Sequence, residues 1–214
     1  MIEDVYSLSP LQEGIYYHWL MDPDSPAYFQ QMSFQLQGEL NIDTIEKSYK
    51  MLVARHAILR TFFTQDFGKE LLQVVRKEVV PGFKYLDVSH EVDFSIASFK
   101  ESDRTTGFNL LKGSQMRLTV LGLGDSKYEF IWSFHHIIMD GWCVGILIQE
   151  FFQMYYSLLQ GKTIGLNKVY PYSTYIEWLT KLDNEASSRY WKNYLSGYDS
   201  ISSIPKIVLN EKQG

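Results

Sequence analysis

The sequence has 214 residues, 45% of them hydrophobic, enough to bury the core of one large domain or two small ones. Its formal charge of -5 and isoelectric point near 5.5 leave no basic surplus to neutralise phosphates, which argues against nucleic-acid binding. The one cysteine, Cys143, excludes an internal disulfide, and the acidic N-terminus and lack of an apolar run of about 18 residues predict a cytoplasmic chain, neither exported nor membrane-spanning.

Ser9-Pro10-Leu11-Gln12 reads as a helix start: Ser9 caps, Pro10 suits the first helical position, and Gln12 completes a capping box. Leu11, Ile15, Tyr16, Trp19 and Leu20 are expected to form the apolar face of that helix. Met32, Phe34 and Leu36 then alternate with polar residues as in a half-buried strand. A helix follows over 42–56, with Ile42, Ile45, Tyr49, Leu52 and Val53 at helical spacing, and Leu59 to Phe63 are richer in strand formers.

Met116, Leu118 and Val120 alternate, as do Tyr128, Phe130, Trp132 and Phe134, and the Gly-Leu-Gly-Asp-Ser link predicts an antiparallel hairpin. That second strand runs directly into His135. From Trp142 to Gln160, Val144, Ile146, Leu147, Phe151 and Tyr155 predict a long buried helix closed by Gly161. Further helices are expected around Tyr172–Leu182 and Glu185–Leu195, their aromatic residues serving core or interlobe packing, before the pattern fades through Pro205 into a polar end at 210–214.

The chemistry concentrates in HHIIMDG, His135 to Gly141. Adjacent residues at a strand end point to opposite faces, so the two histidines are not expected to converge on one ligand. A metal site from His135, His136 and Asp140 lacks the usual ligand spacing and needs further ligands. Two satisfied core histidines, with Asp140 capping the next helix, are the plain structural alternative. Gly141 is expected to let the backbone turn sharply and approach a substrate. Cys143, a lone thiol in the first turn of an apolar helix, reads as a small buried side chain rather than a nucleophile.

HHIIMDG resembles the His-His-x-x-x-Asp-Gly core motif of the condensation domains of nonribosomal peptide synthetases, matched by His135, His136, Asp140 and Gly141. SPLQEGI at 9–15, RHAILRTFF at 55–63 and YSTYIEW at 172–178 are similar to three further motifs of that family, with Ala57 standing where an acidic residue is usual. The resemblance implies one lobe of a chloramphenicol acetyltransferase-like fold, a two-layer α/β sandwich with helices on a mixed sheet. Residues 1–182 would form that N-terminal lobe, and 183–214 the interlobe helix and the start of a C-terminal lobe that the chain lacks.

By the same resemblance His136 is the catalytic residue, His135 is largely structural, and Asp140 holds the loop through a salt bridge to Arg60. The implied reaction is amide formation between a peptidyl or aminoacyl thioester and the amine of an aminoacyl thioester. Both substrates ride the phosphopantetheine arms of donor and acceptor carrier proteins, and the domain binds no cofactor or metal. An α-amine with a pKa of about 8 is already partly neutral near pH 7.5, so His136, with an ordinary pKa near 6.5, suits positioning it and taking its proton after attack. A coenzyme A-dependent acyltransferase lobe and a noncatalytic carrier-docking module stay open beside it.

Overall fold

The computed structural model describes residues 1–66, 68 and 70–200, so the polar end at 210–214 and the stretch around Pro205 lie outside the described residues. Two compact units divide the chain, Met1–Leu179 and a second beginning at Thr180. The first contains β1 (Ile2–Ser7), α1 (Pro10–Met21), β2 (Phe29–Gln37), α2 (Ile42–Arg55), a 3-10 turn (Ala57–Arg60), β3 (Thr61–Thr64) and β4 (Leu72–Arg76). It continues with β5 (Gly82–Asp87), α3 (Ile96–Thr106), β6 (Met116–Gly124), β7 (Lys127–His135), α4 (Gly141–Leu159) and α5 (Tyr172–Leu179). The second holds α6 (Asn184–Tyr194).

The main sheet has the order β2-β7-β6-β5, antiparallel except for the parallel β5–β6 pair. Parallel neighbours need a crossover, and α3 supplies it. The β6–β7 hairpin turns through Asp125 and Ser126, both at positive φ (50° and 54°), the backbone that a two-residue turn matching the strand twist demands. A second, antiparallel sheet runs β1-β4-β3.

Helices α2 and α4 pack on one face of the main sheet. Trp132 of β7 meets Tyr49 at 6.0 Å and Phe151 at 5.3 Å between ring centroids, both edge-on. Tyr49 is fully buried, and its hydroxyl donates to the Met116 carbonyl at 3.1 Å, which satisfies the phenol there. The mixed α/β fold is the expected one. The strand alternation, however, does not leave the other face wet: Glu129, Ile131, Ser133 and His135 of β7 are buried too.

What covers them is α3, which the sequence pattern does not announce, and the same holds for β4 and β5. Asp103 of α3 accepts from Ser133 Oγ at 2.6 Å, Gln31 Nε2 at 2.8 Å and Arg117 Nε at 2.5 Å, while Lys100 pairs with Glu129 at 2.6 Å. A polar face of a strand therefore becomes interior by finding partners on a polar helix.

Other local expectations need narrowing. The Ser9 capping box forms as expected, but Leu11 and Leu20 are exposed, so α1 buries only Ile15 and Tyr16 of its apolar face, with Trp19 half-buried. Leu59 and Arg60 lie in the 3-10 turn ahead of β3, not in a strand. Helix α4 is buried on one face through Leu147, Phe151 and Tyr155, whereas Ile146 and Cys143 are exposed. Tyr175, Trp178, Tyr190, Trp191 and Tyr194 are also exposed, not in a core. No described helix is long and apolar enough to cross a membrane.

Candidate active site

The HHIIMDG segment begins where β7 ends. His135 still pairs with Phe29 across β2, and the His136 N–H donates to the Tyr28 carbonyl at 2.8 Å. Tyr28 holds φ 63°, a left-handed backbone sparsely populated by aromatic residues, which aims its carbonyl at the turn. Ile137, Ile138 and Met139 are all buried in the main core cluster. The three variable positions of the motif thus anchor the loop by hydrophobic burial and leave His136 half-buried between anchors.

The two histidines occupy different environments, as adjacent positions at a strand end dictate. His135 is buried, 6.2 Å from the Tyr28 ring, and its Nδ1 accepts the Ile137 N–H at 3.2 Å. Burial, and then the neighbouring His136 ring, push its pKa down to about 4, so it is neutral near pH 7 with its proton on Nε2.

His136 has the opposite tautomer. Its Nδ1 lies 2.8 Å from the Met139 carbonyl oxygen, which can only accept, so Nδ1 carries the hydrogen and the neutral ring keeps its lone pair on Nε2. A half-exposed imidazole held by one nitrogen can receive a proton at the other.

Asp140 does not reach Arg60. It is the N-cap of α4, and its Oδ1 accepts the N–H groups of Cys143 at 3.1 Å and Trp142 at 3.0 Å. The Cys143 amide foremost holds the carboxyl below the ordinary carboxylate range. Arg60 is 7% exposed and turns toward Glu3, 2.6 Å from Nη1, and toward the carbonyls of Arg76 and Lys77. The expected Arg60–Asp140 bridge is therefore corrected. Strand pairing decides it: Thr61 opposes Val75 and Ile2 opposes Arg76, so β4 and β1 bring Glu3 beside Arg60.

Gly141 is the first residue of α4 and has no positive φ, so the expected sharp turn is not its reason. A Cβ added there would meet nothing within 4 Å, so the space over it is open. Beside it Trp142 is 87% exposed and Ile146 56%, an apolar rim on the open side of the motif. Among the described residues no group of three or more His, Cys, Asp or Glu side chains is placed to hold a metal ion.

Residues absent from the sequence expectation also build the site. Tyr28 and Glu3 carry no local signal, since strand pairing alone brings them in. Gln12 is visible in the sequence only as a cap, yet its Nε2 also donates to the Ile137 carbonyl at 3.1 Å.

A family model described as Condensation domain matches residues 2–214. The chain is 42% identical, over 100% of its length, to a plipastatin synthase polypeptide of Bacillus subtilis (strain 168), and 36% identical to surfactin synthase subunit 3 of the same organism. It spans only 9% and 17% of those two relatives. Among solved structures, a mutant starter condensation domain of rhizomide synthetase superposes with a TM-score of 0.83 at 20% identity, over 94% of this chain and 50% of that one. The first condensation domain of the calcium-dependent antibiotic synthetase gives 0.74 at 16% identity, over 90% and 48%. The fold is that of condensation domains, and by the match along its length this chain belongs to the condensation-domain family.

Proposed function

We propose that this chain is the histidine-bearing lobe of a two-lobed nonribosomal peptide synthetase condensation domain and that His136 serves amide formation between two carrier-bound thioesters. The carrying observation is the His136 tautomer, with Nδ1–H held by Met139 and the Nε2 lone pair left for a proton. The names of the synthase relatives and the half-coverage of the solved condensation domains support it. So does the end of the first compact unit at Leu179, close to the proposed lobe boundary of 182.

In the step proposed, the neutral α-amine of the acceptor aminoacyl thioester attacks the donor thioester carbonyl. The C–N bond forms, and the amine, now acidic, passes its proton to Nε2 of His136. Collapse breaks the C–S bond, and the departing thiolate takes the proton held on Nε2 of His136, which leaves a free carrier thiol and a neutral ring. His135 keeps the strand end packed, Asp140 fixes the start of α4, Gly141 leaves room for substrate, and Arg60 braces the 3-10 turn against β1. The substrates arrive on phosphopantetheine arms of donor and acceptor carriers, so no bound cofactor, nucleic acid or membrane takes part.

The test reunites the chain with the rest of its domain and two loaded carriers, and follows the amide product by mass. Product is expected from the reunited domain, little or none from the chain alone, and a loss of about 100-fold or more in His136→Ala. Turnover with an acyl-coenzyme A donor but not a carrier-bound one would replace this reading with the acyltransferase one. Carrier binding without turnover would replace it with the docking one.

A further inference from the structure

Resting on that reading of His136, we propose that Gln12 is a positioning residue for the His136 loop, not only the cap of α1. Gln12 is 4% exposed, and its amide has a partner in each available direction. Its Oε1 accepts the Ser9 N–H at 3.0 Å and Gln73 Nε2 at 3.1 Å, and its Nε2 donates to the Ile137 carbonyl at 3.1 Å and to Gln73 Oε1 at 3.3 Å. Two acceptor and two donor bonds saturate a glutamine amide, so its orientation is over-determined. A flip would set its oxygen against the Ile137 carbonyl and its NH2 against the Ser9 N–H.

Gln73 is fully buried in β4 and sends its other N–H to the Ser7 carbonyl at 2.9 Å. The small sheet, the start of α1 and the histidine loop thereby share one closed network. Its connection to the ring is short. Ile137 donates its N–H to His135 and its carbonyl accepts from Gln12, which fixes the peptides on both sides of that residue. Those peptides lead to Met139, whose carbonyl holds His136 Nδ1. Without the Gln12 donor the Ile137–Ile138 peptide keeps only its N–H bond to the His135 carbonyl at 3.2 Å, its own carbonyl loses its partner, Met139 can shift, and the ring loses its single tautomer.

Gln12→Glu separates the two roles. The carboxylate still accepts from Ser9, keeping the cap, but it turns an oxygen on the Ile137 carbonyl. Gln12→Leu removes both functions, and Ser9→Ala weakens the cap without touching the loop. In ring-nitrogen NMR of the 214-residue chain, wild type and Ser9→Ala are expected to show His136 in the Nδ1–H form, and both Gln12 variants a mixture of tautomers. In the reunited domain both Gln12 variants are expected to lose about 10- to 100-fold in kcat, with KM for either carrier unchanged, because the ring is displaced and the docking surfaces are not. Ser9→Ala is expected to keep kcat.

An unchanged His136 tautomer and kcat in Gln12→Glu overturn the inference. If His136→Ala itself retains activity, the reading of the site fails, while the tautomer measurement still decides the role of Gln12. Should both Gln12 variants fail to fold, the wild type decides: NOEs from the Gln12 side-chain NH2 to Ile137 and Ile138, with slowed solvent exchange, are required, and their absence overturns the inference.

Discussion

Glu3 takes the guanidinium of Arg60 at 2.6 Å, across a strand pairing that joins the first residues of the chain to the end of β4. Arg60 is therefore a brace of the β1-β4-β3 sheet, one element away from the histidine loop rather than bonded to it.

A double-mutant cycle tests this partner choice. Arg60→Met with Glu3→Gln is expected to show a coupling of about 1 kcal/mol in urea unfolding, kept modest because the Glu3 carboxylate is partly in water. Arg60→Met with Asp140→Asn is expected to couple by less than about 0.5 kcal/mol. A larger coupling to Asp140 than to Glu3 would restore the bridge that the structure replaces.

His135 makes stability pH-dependent in a definite window. Its folded pKa, pushed down to about 4, lies below the ordinary 6.5, so the unfolded chain binds the extra proton first. Its contribution is complete above about pH 6.5 and declines as pH falls toward 4, by roughly 3 kcal/mol in all. Between pH 6.5 and 5 the unfolded carboxylates have scarcely begun to protonate, so the slope there belongs to the five histidines, and substituting His135 isolates its share. His135→Asn, which retains an acceptor for the Ile137 N–H, is expected to flatten unfolding free energy over that interval; an unaltered slope rules out this origin.

The first turn of α4 separates folding from chemistry. Asp140→Ala is expected to cost about 1 kcal/mol through the lost cap, with Asp140→Ser recovering most of it. Gly141→Ala enters open space at a helical position and is expected to leave the fold intact or to stabilise it by about 0.5–1 kcal/mol. In the reunited domain the same substitution is expected to slow amide formation at least about tenfold if, as proposed, substrate uses the open space over Gly141 to reach His136. Destabilisation by Gly141→Ala, seen in thermal melts, contradicts the open space; full activity shows that substrate does not use it.

On the far side of the sheet, Asp103 collects Ser133, Gln31 and Arg117. Asp103→Ala leaves the Arg117 guanidinium in a half-buried site without its carboxylate, and a loss of about 3 kcal/mol in denaturant unfolding is expected. Asp103→Asn, which preserves the shape and part of the hydrogen bonding, is expected to lose less. Equal costs for the two would mean that charge alone, not shape, holds α3 on the sheet, and no cost for Asp103→Asn would mean the reverse.

Much of the site is legible because its signals are local. A serine ahead of Pro10 and a glutamine three residues into the turn specify a cap by backbone geometry alone. Alternation in 128–134 marks a strand, and a strand end separates the faces of His135 and His136 whatever surrounds them. Helix α3 is harder to read: Ile96 and Phe99 make a short apolar stripe, and the rest of its buried surface is polar, stabilised only by partners on β6, β7 and β2.

The amino-acid order by itself determined the HHIIMDG loop, the helix it opens and the strand that presents it, since propensity, periodicity and capping act over a few residues. The tertiary structure alone decided that Arg60 answers Glu3 and that Gln12 grips Ile137. Those choices depend on which strands pair and in what register, and on where a buried donor finds its acceptor across a separation of up to 125 residues.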